Sequence, residues 1–257
     1  GKRADETGPG FGVDYPFDLT LPDATDFIPH DQAFARFLVA IVNLATVFLS
    51  RWRKLTVRAR VHDGLAPETT VTVNGVDLIL LVPDRTSVYW PRHGFDSEPN
   101  TLSWIDRFGA GDVFYDIGAN IGAYTLYAAK ARSVPVVAFE PNPFSYRVLV
   151  HNLHLNAVTD QVLPLCLAAG GPDGNGIGLQ VLAFRLDDLA AIEGISAPTH
   201  VKIDVDGIEA AILEGAKSLL SGPGGKSGLI AVSRPCSVMP SWFRTATARL
   251  AWCPRWT

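Results

Sequence analysis

The residues of this sequence best suited to chemistry are acids and glycines set at the ends of short apolar runs. Val113–Ile117 contains Asp116 near its end and turns at once through Gly118, Asn120 and Gly122. Val134–Glu140 ends in Glu140, followed by Pro141-Asn142-Pro143. Val201–Val205 carries Lys202 and Asp204, with Glu209 shortly after. Glycine allows a tight turn and lets a ligand come close to the backbone. The free N–H groups of a helix start, with the positive end of its dipole, suit a carboxylate or phosphate. A carboxylate ending the next strand can accept both hydroxyls of a ribose. Together these features fit a nucleoside that carries an anionic group. The glycine frame is D-x-G-x-N-x-G and does not match the G-x-G-x-x-G of dinucleotide folds, so a nicotinamide-dependent oxidoreductase is the weaker alternative.

Such residues must be held by an open sheet. From Asp112 onward strand-like and helix-like segments alternate. They are strands at 113–117, 134–140, 161–167 and 201–205, a further candidate at Leu229–Val232, and helices at 121–132, from Pro143 to about Leu155, and at 207–220. Asn142 and Pro143 read as a helix cap and first helical residue. This order predicts an α/β doubly wound, mostly parallel sheet with helices on both faces. Ligands of such a sheet lie beyond the carboxyl ends of its strands. Ahead of it, Val71–Val73 and Val76–Leu81 flank Asn74-Gly75, a hairpin signal, and Thr101–Phe108 reads as a short helix.

The rest of the chain is less regular. Residues 1–31 read as a mobile arm and 233–257 as an irregular basic tail. Between them lie an apolar helix with a basic connection, 32–69, and the main domain, 70–232. The apolar run Phe34–Leu49 is uninterrupted only from Phe37, contains Asn43, and falls short of the roughly 20 residues a spanning helix needs. It is expected to be a buried or interface helix, with membrane-surface association possible but not favoured. Three scattered cysteines predict a reducing, cytoplasmic setting. The formal net charge of −4 argues against a nucleic-acid partner. His151 and His154 read as a surface pair, and no metal site is expected.

Four ordered stretches resemble the FkbM-type methyltransferase family: Phe114–Gly122, Ala138–Pro143 with the helix ending His154-Leu155-Asn156, Arg185–Leu189, and Val201–Glu209. Asp206 stands there where the family usually has Glu. The lead-in Ser97-Glu98-Pro99 and Trp104-Ile105 also fits. The resemblance implies a class I methyltransferase (Rossmann-like) fold with S-adenosyl-L-methionine as cofactor. It further implies methyl transfer to a hydroxyl of a small molecule, such as a sugar or polyketide-like acceptor. Asp116, Gly118, Asn120 and Gly122 would hold the methionine moiety, and Glu140 with Asn142 the ribose side. Asp204 would face the acceptor as base or orienter, supported by Lys202 and Glu209. The family's closing antiparallel strand pair has too little patterned chain left to form, so a cofactor-binding module with impaired catalysis is an alternative.

Overall fold

The computed structural model describes residues 29–65, 67–83, 87–96, 98–170, 182–205, 208–221, 229–232 and 249–252. The chain divides into two compact units, 1–66 and 67–257.

The first unit contains α1 (Pro29–Ala45) and α2 (Arg51–Gly64). The basic stretch expected as a connection is therefore a helix. Arg, Lys, Leu and Ala favour helix, and no Gly or Pro interrupts 51–63. The Arg58 guanidinium donates to Asn43 Oδ1 at 2.5 Å, tying α2 to α1. Of the expected buried or interface helix, burial within this chain is not seen among the described residues: Phe34, Phe37, Leu38, Ile41, Leu44 and Phe48 are exposed. Among the described residues no helix is long and apolar enough to cross a membrane.

The second unit opens with the hairpin β1 (Glu68–Val73) and β2 (Val76–Leu81). Asn74 and Gly75 have φ of 47° and 81°, the pair of positive angles that a two-residue type I′ turn requires. One edge of β2 pairs with β1, and the other would be left bare. Two amides of α5 (Pro143–Leu155) and its cap fill it. Asn152 Oδ1 accepts from the Leu81 N–H at 2.8 Å, and Asn156 Oδ1 accepts from the Ile79 N–H at 2.9 Å. Asn156 Nδ2 donates back to the Ile79 carbonyl at 2.6 Å, and Asn152 Nδ2 to the Ile121 carbonyl at 2.9 Å. The family-like ending of this helix thus works as a clip for the hairpin. Replacing Asn152 by Ala leaves a part-buried N–H without its acceptor, which costs about 1 kcal/mol. Hydrogen exchange checks this, because the Leu81 amide should lose protection before the sheet does.

After the hairpin come a π-helical turn (Trp90–Gly94) and α3 (Pro99–Ile105). Then β3 (Phe114–Ile117), α4 (Ala123–Arg132), β4 (Val136–Phe139), α5 and β5 (Val162–Leu165) alternate. Next lie the short parallel pair β6 (Ala168–Ala169) and β7 (Ala183–Phe184), α6 (Leu186–Leu189) and β8 (His200–Ile203). The chain continues through α7 (Glu209–Glu214), α8 (Lys217–Ser221), β9 (Leu229–Val232) and β10 (Arg249–Trp252). The main sheet has the order β10-β9-β8-β3-β4-β5, every neighbour parallel. Strand order reverses between β3 and β8, which places the ligand crevice at their carboxyl ends. Apolar residues fill both faces. Phe114, Val136 and Ala138 join one cluster with α4 and α5, while Tyr115, Val137, Phe139, Val201 and Ile203 join another with α6 and α7.

Two details differ from the expectation. The helix predicted over 207–220 is two helices, parted at Gly215, where an added Cβ would stand 2.2 Å from the Gly170 carbonyl oxygen. Asp187, from the Leu-Asp-Asp-Leu motif, accepts from the Ser218 and Leu219 N–H groups at 3.1 and 2.8 Å and so starts α8. The tail expected to be irregular places Arg249–Trp252 in parallel register with β9. Four residues are too few to show a period, and it is the pairing with β9 that makes them a strand.

Candidate active site

Register brings the chemistry together. In the parallel pairing of β3 with β8, Asp116 stands opposite Lys202. Side chains alternate along a strand, so both point to the α4 side. There Thr125 Oγ1 donates to Asp116 Oδ2 at 2.6 Å, and the Lys202 ammonium lies 4.9 Å from the centre of the Tyr124 ring. Asp204, two residues beyond Lys202, keeps the same side at the open end of the strand. Its Oδ2 accepts from Lys202 Nζ at 3.0 Å, while Asp116 Oδ1 lies 3.8 Å from the same nitrogen.

Burial sets the electrostatics. Lys202 and Asp116 are 2% and 1% exposed, and the Asp204 side chain 14%. Burial alone would lower the Lys202 pKa. The carboxylates of Asp204, Asp116 and Glu98 outweigh it and hold the ammonium above its ordinary value. Burial raises the Asp116 pKa, and Lys202 and the Thr125 hydroxyl only partly offset this. Glu98, itself buried, accepts from Thr101 Oγ1 at 3.1 Å. Sequence reasoning assigned no site role to Glu98, Thr125 or Tyr124. Only Glu98 had left a signal, as part of the lead-in before α3.

The second acidic strand end is organised differently. The Glu140 carboxylate takes one backbone N–H on each oxygen, from Asn120 at 2.7 Å and from Asn142 at 2.8 Å. Asn120 reaches it by adopting φ of 51°. Each oxygen keeps a lone pair, so the fixed carboxylate has the acceptor capacity a vicinal diol needs. Burial raises the Glu140 pKa, with the two N–H groups opposing. Below that raised value the group is protonated and loses acceptor capacity. Affinity for S-adenosylhomocysteine is therefore expected to fall as pH drops, starting above 4.5, the ordinary value. Calorimetric titration across pH checks this, with Glu140→Gln expected to be weak and flat.

The remaining expected residues are placed as follows. Asn142 is exposed, and its Oδ1 accepts from the Phe144 N–H at 2.9 Å, capping α5. Gly118, at φ 82°, lies so close to β8's exit that an added Cβ would stand 2.1 Å from the Asp204 carbonyl oxygen. Gly122 is buried at φ 89°, where a Cβ would meet Leu149 of α5 at 2.4 Å. Glu209 is buried at the first position of α7. Asp206 lies outside the described residues. His200 opens β8 beside Phe114, at the strand end remote from Asp204.

With this geometry in view, residues 116–223 match the family model of the methyltransferase FkbM domain. This segment is similar to FkbM-type methyltransferase domains. Methyltransferases of this family use S-adenosylmethionine as cofactor. The match begins at Asp116, so the lead-in with Glu98 precedes it. Curated relatives include the tRNA (guanine(37)-N(1))-methyltransferase of Batrachochytrium dendrobatidis, 31% identical over 41% of this chain and 20% of that protein. The enzyme of the same name from Xenopus tropicalis is 26% identical over 71% of this chain and 35% of that protein. The chain thus spans about a fifth to a third of the length of these relatives. Among solved structures, precorrin-6y C5,15-methyltransferase from Geobacter metallireducens is 24% identical over 46% of this chain and 52% of that one, with TM-score 0.34.

The names of these relatives correct two expectations, the exclusion of nucleic acid and the small hydroxylated acceptor. The motifs that carried the resemblance point to the methyl donor and are blind to the acceptor. Net charge is a sum over the chain and hides local excess. Residues 32–62 contain six Arg and Lys and no acid.

Proposed function

We propose that this chain is the methyl-transfer part of an RNA-modifying enzyme whose acceptor is a ring nitrogen of guanine in tRNA. The names of the curated relatives support the acceptor class. The observation that carries the chemistry is Asp204. It is the partly exposed carboxylate at the open end of β8, held at 3.0 Å by a buried ammonium.

When bound, S-adenosylmethionine supplies an electrophilic methyl group next to a sulfonium. Glu140, fixed by two backbone N–H groups, takes the ribose hydroxyls. Asp116 is enclosed and works through its neighbours, fixing Thr125 and Lys202. Carboxyl groups outnumber the one ammonium in this cluster, which favours a cationic donor. Asp204 accepts the acceptor's N–H proton as the nitrogen's electron pair forms the new N–C bond. The bound donor would supply the methyl group with the C–S electron pair remaining on its sulfur, so the transfer balances. The chain's main work is alignment and exclusion of water.

The test is incubation with S-adenosylmethionine and an unmodified tRNA transcript, followed by nucleoside digestion and mass analysis. Methylguanosine in the digest is the expected product. Binding of S-adenosylhomocysteine without transfer to any RNA would leave only the binding half of the reading.

A further inference from the structure

We propose that the first unit is a membrane-surface anchor that docks on anionic phospholipid. Helical geometry puts Phe34, Phe37, Leu38, Ile41 and Leu44 of α1 in one stripe, linked by separations of three, four and seven, and Phe48 lies in the turn just beyond the helix. All six are exposed, from 46% at Leu38 and Ile41 to 95% at Phe48. Arg36 and Asn43, seven apart, share the opposite side of α1. Asn43 bonds Arg58 of α2, so the polar side faces α2 and the apolar stripe faces away. The half-buried residues of α2 are Lys54, Val57 and Val61, one helical face. Arg51, Arg53, Arg58 and Arg60 stay exposed, and no residue of α2 is buried.

The occupant must explain an uncovered apolar stripe and a cluster of cations with no acid between Asp31 and Asp63. A tRNA backbone would meet the cations and leave the stripe in water. A second copy would cover the stripe and bring two like-charged helices together. An anionic bilayer surface takes both, with the stripe in the acyl boundary and the arginines among the phosphates. Since α1 is too short and insufficiently apolar to cross, it lies in the interface. The inference rests on the first unit alone and does not depend on which acceptor is methylated.

The test uses the full chain in co-sedimentation with vesicles of phosphatidylcholine alone or mixed with phosphatidylglycerol. The chain should sediment only with the anionic vesicles, and less as salt rises. Phe37→Asp with Leu44→Asp should lower the bound fraction at least about tenfold. Removing each of Arg53 and Arg60 as Gln should lower affinity about fivefold. Unchanged S-adenosylhomocysteine affinity and helix content in these variants would show that they fold. The proposal is overturned if folded wild-type chain ignores anionic vesicles. It is equally overturned if the stripe substitutions leave vesicle binding intact. Two further patterns would also overturn it: the arginine substitutions weakening tRNA binding alone, or the stripe substitutions dissolving a dimer without affecting vesicles.

Discussion

Lys202→Met is expected to destabilise the methyltransferase unit by about 3–5 kcal/mol at neutral pH, because it leaves buried carboxyl groups without their ammonium. Asp116, Asp204 and Glu98 all act on that nitrogen, and the first two lie within 4 Å of it. The pH dependence has a definite sign. The folded pKa of Lys202 lies above the ordinary 10.5, so its contribution is fully present below 10.5 and is lost only as pH rises through the higher folded value. Asp116 is the opposite type of group. Its folded pKa is raised above 3.8, so its ionisation opposes folding at neutral pH, and stability returns as pH falls through the raised value. Removing the ammonium exaggerates that behaviour, and the deficit of the variant should shrink on moving from neutral pH toward pH 5. Urea unfolding at the two pH values measures it. A deficit independent of pH would mean that only packing was lost.

The second large effect is on turnover. Asp204→Asn keeps an oxygen for Lys202 and removes the proton acceptor. Turnover should fall about 10²–10⁴-fold, the usual worth of a positioned base. Affinity for S-adenosylhomocysteine should stay within a few fold, since Glu140 and the turn after β3 are untouched. Single-turnover transfer to a tRNA transcript and calorimetry on the same preparation separate the two quantities. Equal losses in both would make Asp204 a residue of the binding turn rather than the base.

Local chemistry made much of this architecture legible. Asn74-Gly75 specifies its turn by itself, and Asn142-Pro143 specifies a helix start, because each acts on its immediate neighbours. The alternation of apolar runs with helical stretches was enough for a parallel sheet. What the sequence could not show is which long-range neighbours meet. Asp116 and Lys202 are 86 positions apart in the chain, and only the β3–β8 register sets them face to face. Glu98 joins them from before α3, with no spacing rule to announce it. The strand at Arg249–Trp252 and the helical state of Arg51–Gly64 were missed for related reasons. The first depends on a neighbour, and the second shows no apolar period. Nucleic acid was set aside because an averaged charge was read as a surface property, and the hydroxyl acceptor came from a resemblance whose motifs do not read the acceptor.

The amide clip on β2 has a consequence for the order of events during synthesis. The hairpin is among the first parts of its unit to leave the ribosome, yet the partner of Leu81 is Asn152, 71 positions later. At about 5–20 residues per second, the bare edge waits on the order of ten seconds for its cover. Through that interval it is an open template for strand addition by other nascent chains. Asp77 at the rim of the edge, and the brevity of a six-residue strand, are what guard it until the helix arrives.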